Sequence, residues 1–197
     1  KGPFPLFDAV NFLEEGTHAS KLPSDLKSAI HKHGIRNSHL TSIAPTGTIS
    51  MYAGNVSSGI EPVFAFEYDR KVLQPDGSKT TQTVHDYAML AYRNTFDDFD
   101  DFEDSKDVRF QEPARLPDYF VTAQTLPPGA HVRMQAAAQK WIDSSISKTV
   151  NLPKDISFED FKEVYWQAYE MGCKGCTTYR PNDVTGSVLS VEPKKKE

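Results

Sequence analysis

Two stretches of this chain bring chemistry-bearing residue types together at close spacing: Ala44-Pro45-Thr46-Gly47-Thr48-Ile49 and Cys173-Lys174-Gly175-Cys176. In the first, an apolar run containing Leu40, Ile43 and Ala44 meets Pro45, which lacks an N–H and so ends strand pairing. Residues Thr46 to Ser50 then expose backbone amides and hydroxyls around one glycine. If Thr48 to Met51 open a helix, its first N–H groups have no intrahelical partner and face whatever anion lies there. That is the chemistry of a phosphate-holding loop. The same residues also suit an ordinary strand-to-helix turn, and both readings stand at this point.

The cysteine pair admits three readings: structural thiols, a redox pair, or metal ligands. A redox CxxC is expected at a helix N-terminus, which lowers the thiol pKa, whereas Cys173 follows a helical pattern and leads into a strand-like Thr177-Thr178-Tyr179-Arg180. Zinc needs two further ligands, and neither a second CxxC nor a suitably spaced histidine pair accompanies these two. Structural thiols are the preferred reading. The six histidines, at positions 18, 31, 33, 39, 85 and 131, have no metal-binding spacing; His131, near a helix start, is at most a polar neighbour of a ligand. Arg70, Arg133, Lys148 and Arg180 fall near the ends of predicted elements, where an arginine fork would match phosphate oxygens. Surface ion pairing is the plainer role for each. No metal site and no serine–histidine–acid order emerges.

These residues must be positioned by the elements around them. Ser24 caps a predicted helix with Leu26, Ala29 and Ile30 on one face and Gly34 as its stop. A first strand then enters the 44–49 segment, and Val63 to Tyr68 reads as a second. Pro75-Asp76-Gly77-Ser78 marks a turn before a helix from about Thr80 to Arg93. Pro127-Pro128-Gly129 precedes a helix over 131–141. The alternation from Ser145 to Leu152 predicts a strand closed by Pro153. Ser157 and Asp160 resemble a capping box opening a helix with Phe158, Phe161, Tyr165, Ala168 and Tyr169 on its apolar face, and Gly172 ends it. Cys173 to Tyr179 is the next predicted strand. Strands alternating with helices predict an α/β fold with parallel pairing, in which phosphate loops lie beyond the carboxyl ends of strands. The acidic stretch from about 95 to 115, with Phe96, Phe99 and Phe102 three apart, lacks the fixed glycine and closing glutamate of a calcium loop and reads as a surface insertion.

Composition narrows the partners. The chain has 197 residues, 38% hydrophobic and 25% charged, with a net charge of −5. Its pI near 5.7 argues against nucleic acid, which needs a basic face. No apolar run is long enough to span a membrane. Two cysteines fit a reducing compartment, so the cytoplasm is the expected location. The start at Lys1 and the polar run 191–197, a linker or tail, read as the ends of a fragment.

Five segments in this order resemble the catalytic subunit of ribonucleotide reductase in its adenosylcobalamin-dependent (class II) form. They are GPFPLF (2–7), RNSHLTSIAPTGTIS (36–50), SSGIEPVFAFEYDRKVL (57–73), HVRMQAAAQKWIDSSISKTVNLP (131–153) and GCKGCTTYRPN (172–182). The resemblance implies that residues 1–190 are the carboxyl-terminal half of a ten-stranded α/β barrel. It further implies conversion of ribonucleotides to deoxyribonucleotides by thiyl-radical chemistry, with adenosylcobalamin as cofactor and a thioredoxin-like reductant. Ala44, Pro45, Thr46, Gly47, Thr48 and Ile49 would hold the phosphates of a ribonucleoside di- or triphosphate, Gly47 letting the backbone approach the phosphate oxygens. The family's radical cysteine, its reducing cysteines and its Asn and Glu acid–base residues belong to segments upstream. No catalytic residue is therefore carried over, and the chain is expected to be inactive without the amino-terminal half of the same enzyme, in an assembly that could be a homodimer. Within the family, an iron-dependent class I large subunit is the alternative; it tends to carry Ala-Ser-Thr in the loop and a tyrosine pair where this chain has Thr177-Thr178-Tyr179. Outside it, the alternative is a non-catalytic nucleotide-binding or interaction module from a split or truncated gene.

Overall fold

The computed structural model describes residues 1–96, 116–181 and 189–190. Almost all of the acidic insertion, and the tail at 191–197, lie outside the described residues.

The carboxyl-terminal part is a β-α-β unit preceded by a helix. Pro128 occupies the first turn of α5 (Pro128–Gln139), where its missing N–H has no acceptor to lose. Strands β3 (Thr149–Asn151) and β4 (Thr177–Tyr179) pair in parallel, Val150 opposite Thr178. Helix α6 (Phe158–Glu170) makes the crossover that parallel pairing demands. It starts where Ser157 Oγ accepts the Asp160 amide at 3.0 Å and donates to the Asp160 carboxylate at 2.7 Å, and it stops at Gly172, whose φ of 75° suits glycine. Val132 from α5, Val150 from β3, Leu152, and Val164 and Ala168 from α6 form the core, with Cys173 and Cys176 packed against it.

α5 contributes more than apolar surface. His131, Gln135 and Gln139 lie four residues apart, hence on one face, and all three are buried. Gln135 Nε2 donates to the Gly175 carbonyl at 2.6 Å. Gln139 Nε2 donates to the carbonyls of Ile142 and Ser144, and its Oε1 accepts the Lys174 amide at 3.2 Å. This polar stripe ties the turn after α5 to the turn after α6.

The amino-terminal part holds α1 (Ala9–Phe12), a 3-10 turn at Ala19–Lys21, α2 (Ser24–His33) and α3 (Gly47–Tyr52). An antiparallel hairpin follows, β1 (Glu67–Leu73) with β2 (Lys79–His85), and β5 (Leu189–Ser190) pairs with the other edge of β1. Asp76 Oδ1 accepts the Ser78 amide in its turn, and Gly77 has φ 83°. α4 (Tyr87–Phe96) begins after Asp86, whose carboxylate accepts the Met89 amide at 2.8 Å.

Several sequence expectations need correction. Residues 80–85 form a strand, because the turn at 75–78 closes a hairpin and Thr80, Thr81, Thr83 and Val84 are β-branched. The second strand begins at Glu67, so Val63 to Phe66 lie before it. α2 is capped from Pro23, with Ser24 inside the helix. The strand expected before Pro45 shrinks to one parallel bridge, Ile43 to Ile146, and Cys173 to Cys176 lie outside β4. The mixed helix and strand content fits α/β, but among the described residues the sheets are one of three strands and one of two, with no closed barrel. None of the described helices is long and apolar enough to cross a membrane.

A side chain does for residues 40–43 what a neighbouring strand would have done. Asp143 accepts the Leu40 and Thr41 amides at 2.7 Å each and the Thr41 hydroxyl at 2.9 Å. The Ser144 and Ser147 amides then donate to the carbonyls of Thr41 and Ile43. Burial alone would raise the Asp143 pKa; the two amides, the Thr41 hydroxyl and the positive charge of His18 outweigh it and hold the carboxyl at about 2. Because the folded value lies below the 3.8 of the free group, the stabilisation is complete above that value and is lost as pH falls through about 2. In urea denaturation, Asp143→Asn is expected to lower stability at neutral pH by roughly 1 kcal/mol, a figure discounted for solvent screening. The same variant should lose part of the acid dependence in that window; an unchanged acid limb would remove the clamp from the fold's energetics.

Candidate functional site

A cleft of 720 Å³ opens where α3, β1, β3 and β4 meet. Asn151 and Tyr179, the last residues of β3 and β4, line it, as do Gly47 and Ser50 of α3, together with Glu61 and Arg70.

The start of α3 follows from local bonding. The Thr46 amide donates to Ser58 O at 3.0 Å, and the Ser50 amide makes the first helical bond, to Thr46 O at 2.7 Å. Ser50 Oγ donates to Gly47 O, and Thr46 gives no side-chain cap. The amides of Gly47, Thr48 and Ile49 are thus the helix's orphan donors, without an acceptor among the described residues. A Cβ built on Gly47 would meet nothing within 4 Å, so the space beside Gly47 itself is open.

Arg70 is held by neutral groups. Its Nη1 donates to Asn55 Oδ1 at 3.2 Å and its Nη2 to Tyr68 Oη at 2.7 Å, with the guanidinium 5.5 Å from the centre of the Tyr68 ring. Asn55 takes the left-handed conformation, φ 60°, and its amide donates to Ser50 O beyond the end of α3. The residue that closes α3 therefore also orients Arg70.

Behind the cleft lies a buried polar pair. His131 Nε2 is 3.1 Å from Ala123 O, which places its hydrogen there, so Nδ1 accepts from Lys148 Nζ at 2.7 Å. Lys148 also donates to Thr149 O. Burial, then the charge of Lys148, lowers the His131 pKa against the Ala123 bond. Burial also lowers that of Lys148, opposed by the charges of Glu61 and Cys176. Glu61 folds back over Gly59, where a Cβ would stand 2.6 Å from its carboxylate, and its Oε2 is buried without a hydrogen-bond partner among the described residues. Both thiols are free and burial raises their pKa values, which disfavours the reactive thiolate. Among the described residues no group of three or more His, Cys, Asp or Glu gathers to hold a metal ion.

Of the six loop residues singled out from sequence, Gly47 alone lines the cleft; Ala44, Pro45, Thr48 and Ile49 are exposed and Thr46 is half-buried. Of the four basic candidates, Arg70 lines it, Arg133 and Arg180 are exposed, and Lys148 is buried against His131. Glu61, Asn55 and Asn151 were not foreseen. The one sequence signal near them, Ser57-Ser58-Gly59, marks a turn and does not reveal which side chain folds back across it.

A family model described as ribonucleotide reductase, barrel domain, matches residues 1–179. A vitamin B12-dependent ribonucleoside-diphosphate reductase of Thermoplasma acidophilum is 37% identical over 188 residues, covering 89% of this chain and 24% of that protein. A protein of the same description from Mycobacterium tuberculosis is 33% identical over 195 residues, covering 96% of this chain and 25% of its own length. A vitamin B12-dependent ribonucleotide reductase of Streptomyces coelicolor is 33% identical over 172 residues, 83% of this chain and 18% of that protein. The chain thus spans a quarter or less of these relatives.

The buried pair makes a pH prediction. His131 has a folded pKa below its ordinary 6.5, so the unfolded chain binds the proton more readily. Stability is complete above that ordinary value and is lost as pH falls from it towards the folded one. Unfolding free energy is expected to fall as pH drops below the ordinary imidazole value of 6.5, and His131→Asn, which keeps an acceptor for Lys148, should flatten that slope. A slope unchanged in the variant would assign the titration elsewhere.

Proposed function

The chain belongs to the ribonucleotide reductase barrel-domain family, and from that premise we propose that it is part of an adenosylcobalamin-dependent ribonucleotide reductase in which this segment anchors the substrate phosphates. The reductase converts ribonucleotides to deoxyribonucleotides through a thiyl radical carried by the amino-terminal half of the enzyme. The observation that carries the reading is the cleft itself. Gly47, the first of three residues with orphan amides at the start of α3, lines it together with residues of the parallel strands β3 and β4, and an α/β fold binds phosphate beside such strands. The Ile43 bridge, β3 and β4 run parallel side by side, which supports a section of barrel wall whose free edges the amino-terminal half would continue. A phosphate fixed there converts binding energy into alignment of the ribose with the radical, since the reacting atoms must meet at close range.

The cleft has room for a nucleotide and is small beside a corrin cofactor, and no residue of this chain is assigned to adenosylcobalamin. When bound, that group supplies the radical chemistry; this chain binds and orients. The three relatives, each described as vitamin B12-dependent, support that cofactor over the iron-dependent form, as does a β4 reading Thr177-Thr178-Tyr179 without a tyrosine pair. A thioredoxin-like reductant, a homodimeric assembly and a cytoplasmic location complete the proposal, with a ribonucleoside diphosphate as the substrate to test first.

Gly47 gives the test. Its φ is ordinary and the space beside it is empty, so Gly47→Val should fold normally while its side chain crowds the amides. In the protein reconstituted with its amino-terminal half, affinity for a ribonucleoside diphosphate is expected to fall about tenfold or more, ~1.4 kcal/mol, with the melting temperature nearly unchanged. Undiminished affinity would remove α3 from the site.

A further inference from the structure

We propose that the guanidinium of Arg70 binds the terminal phosphate of the nucleotide, making a second anion subsite beside the α3 amides. The inference rests on the nucleotide reading of the cleft and goes beyond it in assigning a side chain to a particular phosphate. Arg70 projects from β1 into the same cleft as Gly47. Its orientation is set before any ligand arrives, by Asn55 Oδ1, by Tyr68 Oη and by the face of the Tyr68 ring.

All of these partners are neutral. Among the described residues no carboxylate forms an ion pair with Arg70: the neighbouring Asp69 accepts from Thr83 Oγ1, and the ion pairs join Glu67 to His85 and Glu159 to Lys162. Glu61, the acidic residue of the cleft, exerts its charge on Lys148. A partly buried guanidinium fixed by neutral acceptors has further N–H donors for an incoming ligand. A fork of that geometry suits a phosphate better than it suits a hydroxyl or a base.

The coupling to α3 strengthens the assignment. Asn55 reaches its left-handed conformation just past the end of α3, donates its amide to Ser50 O and presents its side-chain oxygen to Arg70. One turn of chain therefore sets both the helix bearing the orphan amides and the cation beside it. Three amides suit one phosphate group, and a separate guanidinium suits the next, so the pair selects a nucleoside diphosphate or longer over a monophosphate.

The test compares calorimetric binding of cytidine monophosphate and cytidine diphosphate to the reconstituted reductase. Wild type should bind the diphosphate more tightly. Arg70→Gln should lower diphosphate affinity about tenfold, towards that of the monophosphate, while monophosphate affinity changes less than about threefold. Arg70→Lys, which keeps the charge and loses the fork, should fall between. Tyr68→Phe, which keeps the ring and removes the orienting hydroxyl, should lose part of the diphosphate preference and provides a variant with little risk to folding. Gly47→Val separates the two readings, since it should weaken both ligands. If it does so while Arg70→Gln leaves the diphosphate unaffected, the Arg70 assignment alone fails. Equal losses of both ligands in Arg70→Gln, or a wild type without diphosphate preference, would also overturn it. If neither variant alters binding, the nucleotide reading of the cleft fails with it.

Discussion

The arrangement depends on one carboxylate. Residues 40–43 have a single bridge to a neighbouring segment, too little by itself to hold the stretch that delivers α3 to the cleft. Asp143, 103 residues from Leu40 in sequence, grips the Leu40 and Thr41 amides together with the Thr41 hydroxyl. An ionised acceptor bonded to backbone N–H groups is stronger than a neutral one. The turn bearing Asp143 is itself held from within, since buried Gln139 bonds the carbonyls of Ile142 and Ser144. From this point the chain passes through Pro45 to Thr46, whose amide is taken by Ser58, and α3 begins with three amides that have no acceptor among the described residues.

Polar groups buried along α5 make this possible at a cost that only full satisfaction offsets. His131, Gln135 and Gln139 share one face and each finds its partner: Ala123 and Lys148, Gly175, and the turn at 142–144 with Lys174. An unsatisfied amide or imidazole in that position costs about 1–3 kcal/mol, and this penalty favours one seating of α5 over slipped alternatives. The stripe also joins the two halves of the site, because Lys148 sits immediately before β3 while His131 bonds to Ala123, a residue of the cleft wall.

What could be read from the residues is mostly what local chemistry decides. Ser157 with Asp160, Gly172, Gly34 and the Pro-Asp-Gly-Ser turn each act within a few residues, and each stands where expected. The βαβ unit followed from its alternating elements, and its strands do pair in parallel. The helix expected from Thr80 failed because the pairing of β2 with β1 prevailed over a helical reading of those residues. The strand before Pro45 failed because its amides found a carboxylate from across the chain. At the cleft, residue type points to Gly47 and Arg70 as candidates, and both line it. Nothing local reveals that Lys148 turns inward to His131. Glu61 stayed hidden for a related reason, its position being set by a close approach to Gly59.

The central claim is that a nucleotide phosphate rests on the first amides of α3. A structure of the reconstituted protein with a bound ribonucleoside diphosphate tests it most directly. The account predicts phosphate oxygens about 2.7–3.2 Å from the amide nitrogens of Gly47, Thr48 and Ile49. A diphosphate bound elsewhere, with those three amides left to solvent, would contradict it.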